Sequence, residues 1–168
     1  MDGRGFTLVE LSIALAVSAA LLVAGAPGFH EFLRDCDRTA TLGSLLGAIH
    51  SARRLAAVSG HPVELCPTRD GDDCSGESRW DGDLLLRPPP ASDLAPRVLP
   101  ILAHRPPQTV RANRDVLNFA PLRPSATTAT ITVCDDRGSR AARAVIVSRT
   151  GRPRVAARDA SGSLLVCP

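Results

Sequence analysis

A chain of 168 residues with a formal charge of +3 is too short for several domains and too evenly charged to be a polyelectrolyte. All of its twenty basic residues are arginine, which grips phosphate and carboxylate in a bidentate way that lysine cannot. Aromatics are confined to four Phe and one Trp, so any core must be aliphatic.

The first element is an apolar run from Phe6 to Ala26, broken only by Thr7, Glu10, Ser12 and Ser18 and stopped by Pro27-Gly28. As a helix rising about 1.5 Å per residue, it reaches roughly 30 Å, the hydrocarbon thickness of a bilayer. Glu10 is the anomaly, because a carboxylate inside such a span costs on the order of 3 kcal/mol at mid-membrane and asks for a partner. An ordinary secretory signal accounts for Ala24-Gly25-Ala26 as a cleavage pattern, but not for a leader in which Asp2 offsets Arg4. A plain membrane anchor accounts for the length, but not for Gly5-Phe6 or Glu10.

Gly5-Phe6-Thr7-Leu8-Val9-Glu10 resembles the N-terminus of type IV prepilins and type II secretion pseudopilins. The resemblance implies a leader, residues 1–5, cut between Gly5 and Phe6 by a prepilin peptidase, followed by N-methylation of Phe6. It also implies that Glu10 meets the amine of a neighbouring subunit during filament assembly, since a buried charge is tolerated when paired.

Past Pro27 the apolar period returns at Phe29, Phe32, Leu33, Leu42, Leu45, Leu46, Ile49 and Leu55 or Ala56, with Arg34, Asp35, Arg38, Arg53 and Arg54 opposite. Ser59-Gly60-His61-Pro62 is a helix stop. One helix is therefore expected from about Thr7 to Val58, kinked or loosened at Gly25-Pro27-Gly28. Residues 6–26 are its membrane or filament-core half and residues 27–58 its amphipathic continuation.

Strand patterns follow over residues 62–66, 84–86, 116–119, 128–134, 144–148, 154–157 and 164–167, with turn signals at Asp135–Gly138, Thr150-Gly151 and Ser161-Gly162. A long helix followed only by strands gives an α+β fold, with the helix laid on one face of an antiparallel β-sheet spanning residues 59–168. Between Pro88 and Pro107 lie seven prolines, too many for a central strand. That segment is expected to be a surface loop, with Val98–Leu102 as an edge strand or an extended stretch.

Five cysteines in a domain delivered to an oxidising compartment are expected to pair. Cys66 and Cys74 bracket a short turn-rich loop, whereas Cys134 and Cys167 each end an apolar strand, which leaves Cys36 over. Spacing does not prove connectivity. No C-x-x-C and no clustered His argues for zinc, so no metal or cofactor is expected. The Asp70-Gly71-Asp72-Asp73 run lacks EF-hand spacing. His30, His50, His61 and His104 are scattered and no nucleophile motif is present, so no enzyme is expected.

The stretch Ala48 to Pro67, with Arg-rich helix, Gly60-His61-Pro62-Val63 and Leu65-Cys66-Pro67, is similar to the GspH/FimT family. Trp80-Asp81-Gly82, Gly151-Arg152-Pro153-Arg154 and Cys167 also fit, although Asp83 stands where an aromatic is commoner. The resemblance implies the type IV pilin fold and a low-abundance subunit near a filament tip. It further implies a single-pass inner-membrane protein with a periplasmic domain, whose partners are other minor pilins or pseudopilins.

From Asp135 to Pro168 there are seven arginines against three aspartates, net +4, so nearly all of the chain's imbalance lies here. Gly151-Arg152-Pro153-Arg154 matches the G-R-x-R pattern that FimT-like pilins use for DNA in natural transformation. Arg149, Gly151, Arg152, Arg154 and Arg158 are the candidate binders of double-stranded DNA, through sequence-blind phosphate contacts. The plain alternative for these residues is a solvated basic hairpin. The alternative for the chain is a structural pseudopilin H of type II secretion.

Overall fold

The computed structural model describes residues 7–90, 92–101, 108–121 and 125–167. Helix α1 runs from Leu8 to Ser59. Its start is a reciprocal cap: the Thr7 N–H donates to Glu10 Oε2 at 2.9 Å, and the Glu10 N–H donates to Thr7 Oγ1 at 3.3 Å. The helix continues without interruption through Gly25, Pro27 and Gly28. A proline there removes one intrahelical hydrogen bond, and the Ala- and Leu-rich turns before it help the helix outlast that loss. At the other end the Gly60 N–H closes on Ala56 O at 3.1 Å with φ +71°, the left-handed conformation that glycine adopts at a helix end.

Two compact units divide the chain, Met1–Cys36 and Asp37–Pro168. In the first, the large apolar side chains of the helix, among them Leu11, Leu15, Leu22, Phe29 and Phe32, are exposed. The helix is long and apolar enough to cross a membrane. Cys36, at the end of this unit, is a free thiol.

In the second unit the remaining turns of α1 bury Leu42, Leu45, Ala48, Ile49, Ala52 and Ala56, a stripe at i, i+3, i+4 spacing. Strands β1 (Val63–Pro67), β2 (Leu84–Arg87), β3 (Arg97–Leu99) and β5 (Leu117–Phe119) form one sheet, in the order β3-β2-β1-β5. Strands β4 (Thr109–Ala112), β6 (Ala129–Cys134), β7 (Arg143–Val147) and β8 (Pro153–Ala156) form a second, in the order β4-β6-β7-β8. All pairings are antiparallel. Leu65, Leu86, Phe119, Ile131, Val133 and Val145 join the helix stripe in one core. Trp80, fully buried, donates its Nε1–H to Arg114 O at 2.9 Å, so the one indole is both packed and satisfied.

The α+β architecture is as expected, but the single sheet is two. Strand β4 is not among the expected strands, because only Val110 in Thr109–Ala112 is strongly apolar. The last expected strand, residues 164–167, is not one. Leu164 makes an isolated bridge to Arg158, and Leu165 packs with Cys134, Ala142 and Ala144 on the face of the second sheet turned away from the helix. Disulfides join Cys66 to Cys74 and Cys134 to Cys167, with Cα–Cα separations of 5.6 and 5.8 Å. In the proline-rich segment, Arg97–Leu99 forms the outer strand of the first sheet, and residues 102–107 lie outside the described residues.

Candidate nucleic-acid interface

Strand β7 ends at Val147, which pairs with Pro153 at the start of β8, so the chain must reverse over Ser148–Arg152. The Gly151 N–H donates to Ser148 O at 2.8 Å and the Ser148 N–H to Arg152 O at 3.1 Å. This closes a three-residue hairpin loop whose last position needs positive φ, and Gly151 supplies +71°. Ser148 Oγ braces the loop by accepting from the Arg152 N–H at 3.2 Å and lying 3.0 Å from Thr150 Oγ1. Proline at the first position of an edge strand leaves no ladder donor missing. The short loop is therefore rigid, and rigidity lowers the entropic cost of presenting side chains to a ligand.

Arg149, Arg152 and Arg154 extend from this hairpin into solvent, and none has a side-chain hydrogen bond or ion pair among the described residues. Gly151 is buried beneath them. A Cβ placed on Gly151 would stand 3.1 Å from Arg53 Cδ, 3.2 Å from Ala126 Cβ and 3.3 Å from Arg53 Nε. Arg53 of α1 thus lies along the underside of the loop, and the Ala126 N–H donates to Arg149 O at 2.7 Å. Most of the domain's chain separates Arg53 from the loop, and its place in the sequence marks it only as part of a solvated helix face.

The other arginines of the C-terminal third do not gather here. Arg158 lies beyond the far end of β8, where its Nη1 donates to Gly162 O at 3.0 Å across the Asp159–Ser163 turn. Asp159 in that turn is held below the usual carboxylate range by the Ser161 hydroxyl and the Ser163 N–H, placing an anion next to Arg158. Arg137 and Arg143 flank the opposite end of β7 from Gly151. Arg137 donates to Asp135 at 2.6 Å and Arg143 Nη1 to Ala142 O at 2.8 Å. Burial alone would raise the Asp135 carboxyl, but hydrogen bonds from the Arg137 side chain and N–H, with the charges of Arg137 and Arg38, hold it below its ordinary value.

Of the N-terminal candidates, Gly5 and Phe6 lie outside the described residues. Glu10 is described, and its carboxylate accepts from both the N–H and the hydroxyl of Thr7, at 2.9 and 3.0 Å. Among the described residues, no group of three or more His, Cys, Asp or Glu side chains is placed to hold a metal ion.

An apolar N-terminal helix joined to a helix-and-sheet domain defines a type IV pilin-like subunit, and the comparisons agree. Residues 2–26 match the prokaryotic N-terminal methylation motif, and residues 41–151 match type II transport protein GspH. The chain belongs to the GspH family. Two crystal forms of the type IV minor pilin FimU of Pseudomonas aeruginosa are similar in fold. One has a TM-score of 0.53 at 16% identity, covering 70% of this chain and 90% of that one. The other has a TM-score of 0.56 at 17% identity, covering 73% and 90%. No curated protein matches the chain. The protein is a minor pilin- or pseudopilin-like subunit, membrane-anchored by its N-terminal helix and carrying a soluble C-terminal domain. The GspH match ends at Gly151, so Arg152 and Arg154 lie just past the matched residues.

Proposed function

We propose that this subunit is processed between Gly5 and Phe6, methylated on Phe6, and held in the bacterial inner membrane until it enters a type IV pilus-like filament as a minor component. There Glu10 meets the amine of a neighbouring subunit, and the periplasmic domain binds double-stranded DNA without sequence preference during natural transformation. One observation carries the DNA reading: three guanidinium groups, those of Arg149, Arg152 and Arg154, stand unpaired among the described residues on one short hairpin whose turn the positive φ of Gly151 makes possible. Phe119 and Trp80 are buried, so neither offers a base-stacking platform and duplex is favoured over single strand.

The test is fluorescence anisotropy of the full chain in detergent with a labelled duplex over a salt series. Arg152→Ala with Arg154→Ala weakens binding and lowers the log–log salt slope by about two, one for each phosphate that is no longer neutralised. An unchanged affinity and slope contradicts the assignment. It would favour the rival reading, a structural pseudopilin in type II secretion, which the family description supports.

A further inference from the structure

We infer that the phosphate-binding surface does not end at the Gly151 loop but crosses the outer face of α1 through Arg53 and Arg54 to Arg97, forming a second cationic patch for duplex DNA. This rests on the DNA-binding reading above. Residues 50, 53, 54 and 57 occupy one helix face by i, i+3, i+4, i+7 spacing, beside the stripe of buried Leu45, Ile49, Ala52 and Ala56. Arg53 marks the flank that meets the Gly151 loop. His50, Arg53, Arg54 and Ala57 line a shallow surface groove. On the other flank, His50 and Arg54 share a 470 Å³ groove with Arg97 of the edge strand β3, over a floor that includes Leu86 and Leu99.

Charge distinguishes this band from much of the remaining surface. Arg69, Arg79, Arg87 and Arg137 each meet a carboxylate of Glu77, Asp81, Glu64 or Asp135. Arg53, Arg54 and Arg97 meet none among the described residues, and no Asp or Glu lines either groove. A helix with side chains is about 10–12 Å across, so a band that wraps its outer face from one sheet to the other extends on the order of 20 Å. Phosphates advance about 3.4 Å along each strand, so a surface of that reach spans several of them. Guanidiniums without a carboxylate, distributed over such a length and continuous with the hairpin, suit a polyphosphate better than a compact anion. An acidic protein segment is the competing occupant, since the floor of the outer groove is apolar.

The experiment uses the full chain in detergent, the labelled duplex and, in parallel, poly-glutamate. Arg53→Met keeps the aliphatic stem beneath Gly151 and removes the charge. Arg54→Gln with Arg97→Gln leaves the hairpin untouched, and Arg140→Gln at the far end of β7 is the control. The expected result is a several-fold loss of duplex affinity for each helix-band variant, a salt slope reduced by about one per guanidinium removed, and no change for the control. If Arg152→Ala with Arg154→Ala weakens binding while the helix-band variants do not, this inference is overturned and the hairpin reading stands. If neither set matters, both fall. Binding of poly-glutamate that depends on Arg54 and Arg97, with duplex binding unaltered, assigns the band to an acidic protein and also overturns it.

Discussion

Two glycines of this domain share a φ of +71° and differ in their surroundings, which makes the loop geometry measurable. Gly60 has nothing within 4 Å of the position its Cβ would take, whereas Gly151 has Arg53 Cδ at 3.1 Å and Ala126 Cβ at 3.2 Å. A left-handed alanine costs roughly 1–2 kcal/mol, partly offset by about 0.4–1 kcal/mol from the stiffer unfolded chain. Gly60→Ala should therefore destabilise by about 1 kcal/mol. Gly151→Ala carries the same backbone cost and also overpacks a buried position, which adds about 1–3 kcal/mol. Urea unfolding followed by the fluorescence of Trp80, the one indole and fully buried, reads both variants in the same chain. Adding Arg53→Ala to Gly151→Ala should recover part of the extra cost, because Arg53 leaves while Ala126 stays, and that non-additivity marks the contact. If the two glycine variants lose equal stability within about 0.5 kcal/mol, Arg53 does not lie under the loop and the reasoning from packing is refuted.

Replacing Cys134 and Cys167 together by serine should cost about 3–4 kcal/mol in the chain-entropy picture, and replacing Cys66 and Cys74 about 2–3 kcal/mol, since the first loop spans 33 residues and the second 8. Denaturant midpoints in the opposite order would refute this ranking. Asp135 titrates below its unfolded value, so the stability it contributes is present above the unfolded pKa of about 3.9 and is lost as pH falls through the folded one. Asp135→Asn should flatten the acid limb of the stability–pH curve, and an unchanged limb would show that the Arg137 pair carries none of it. Glu10→Val should leave the helix in the membrane fraction but remove the subunit from sheared filaments, and normal incorporation would exclude the pairing role.

Much of this architecture can be read from residue order because it is local. The Phe6–Ala26 run, the Ser59–Pro62 stop and the alternation in Thr128–Cys134 each contain their own signal, and α1, β1 and β6 appear where those signals place them. Division into two sheets is not local. A period of two identifies a strand but not its neighbour, and β4 joins β6 to place Thr109–Ala112 in the second sheet, beyond the proline-rich segment. Leu164–Cys167 has strand composition, yet its disulfide and Leu165 attach it to a sheet face rather than an edge. At the site, Gly151-Arg152-Pro153-Arg154 is legible because glycine and proline define the turn themselves. Arg53 is not, because an arginine on the polar side of a helix carries no mark of the distant loop it supports. Net charge is a poor guide for the same reason. The +4 of the C-terminal third is split between the two ends of β7, and at the end away from Gly151 the guanidiniums of Arg137 and Arg143 are held by Asp135 and Ala142.

Every role proposed for this chain requires that it become a filament subunit through its own N-terminus. Intact-mass and N-terminal peptide analysis of the protein recovered from membranes tests that requirement directly. A mature chain that begins at methylated Phe6 is expected; a chain that retains Met1, or one that begins at Pro27, contradicts it.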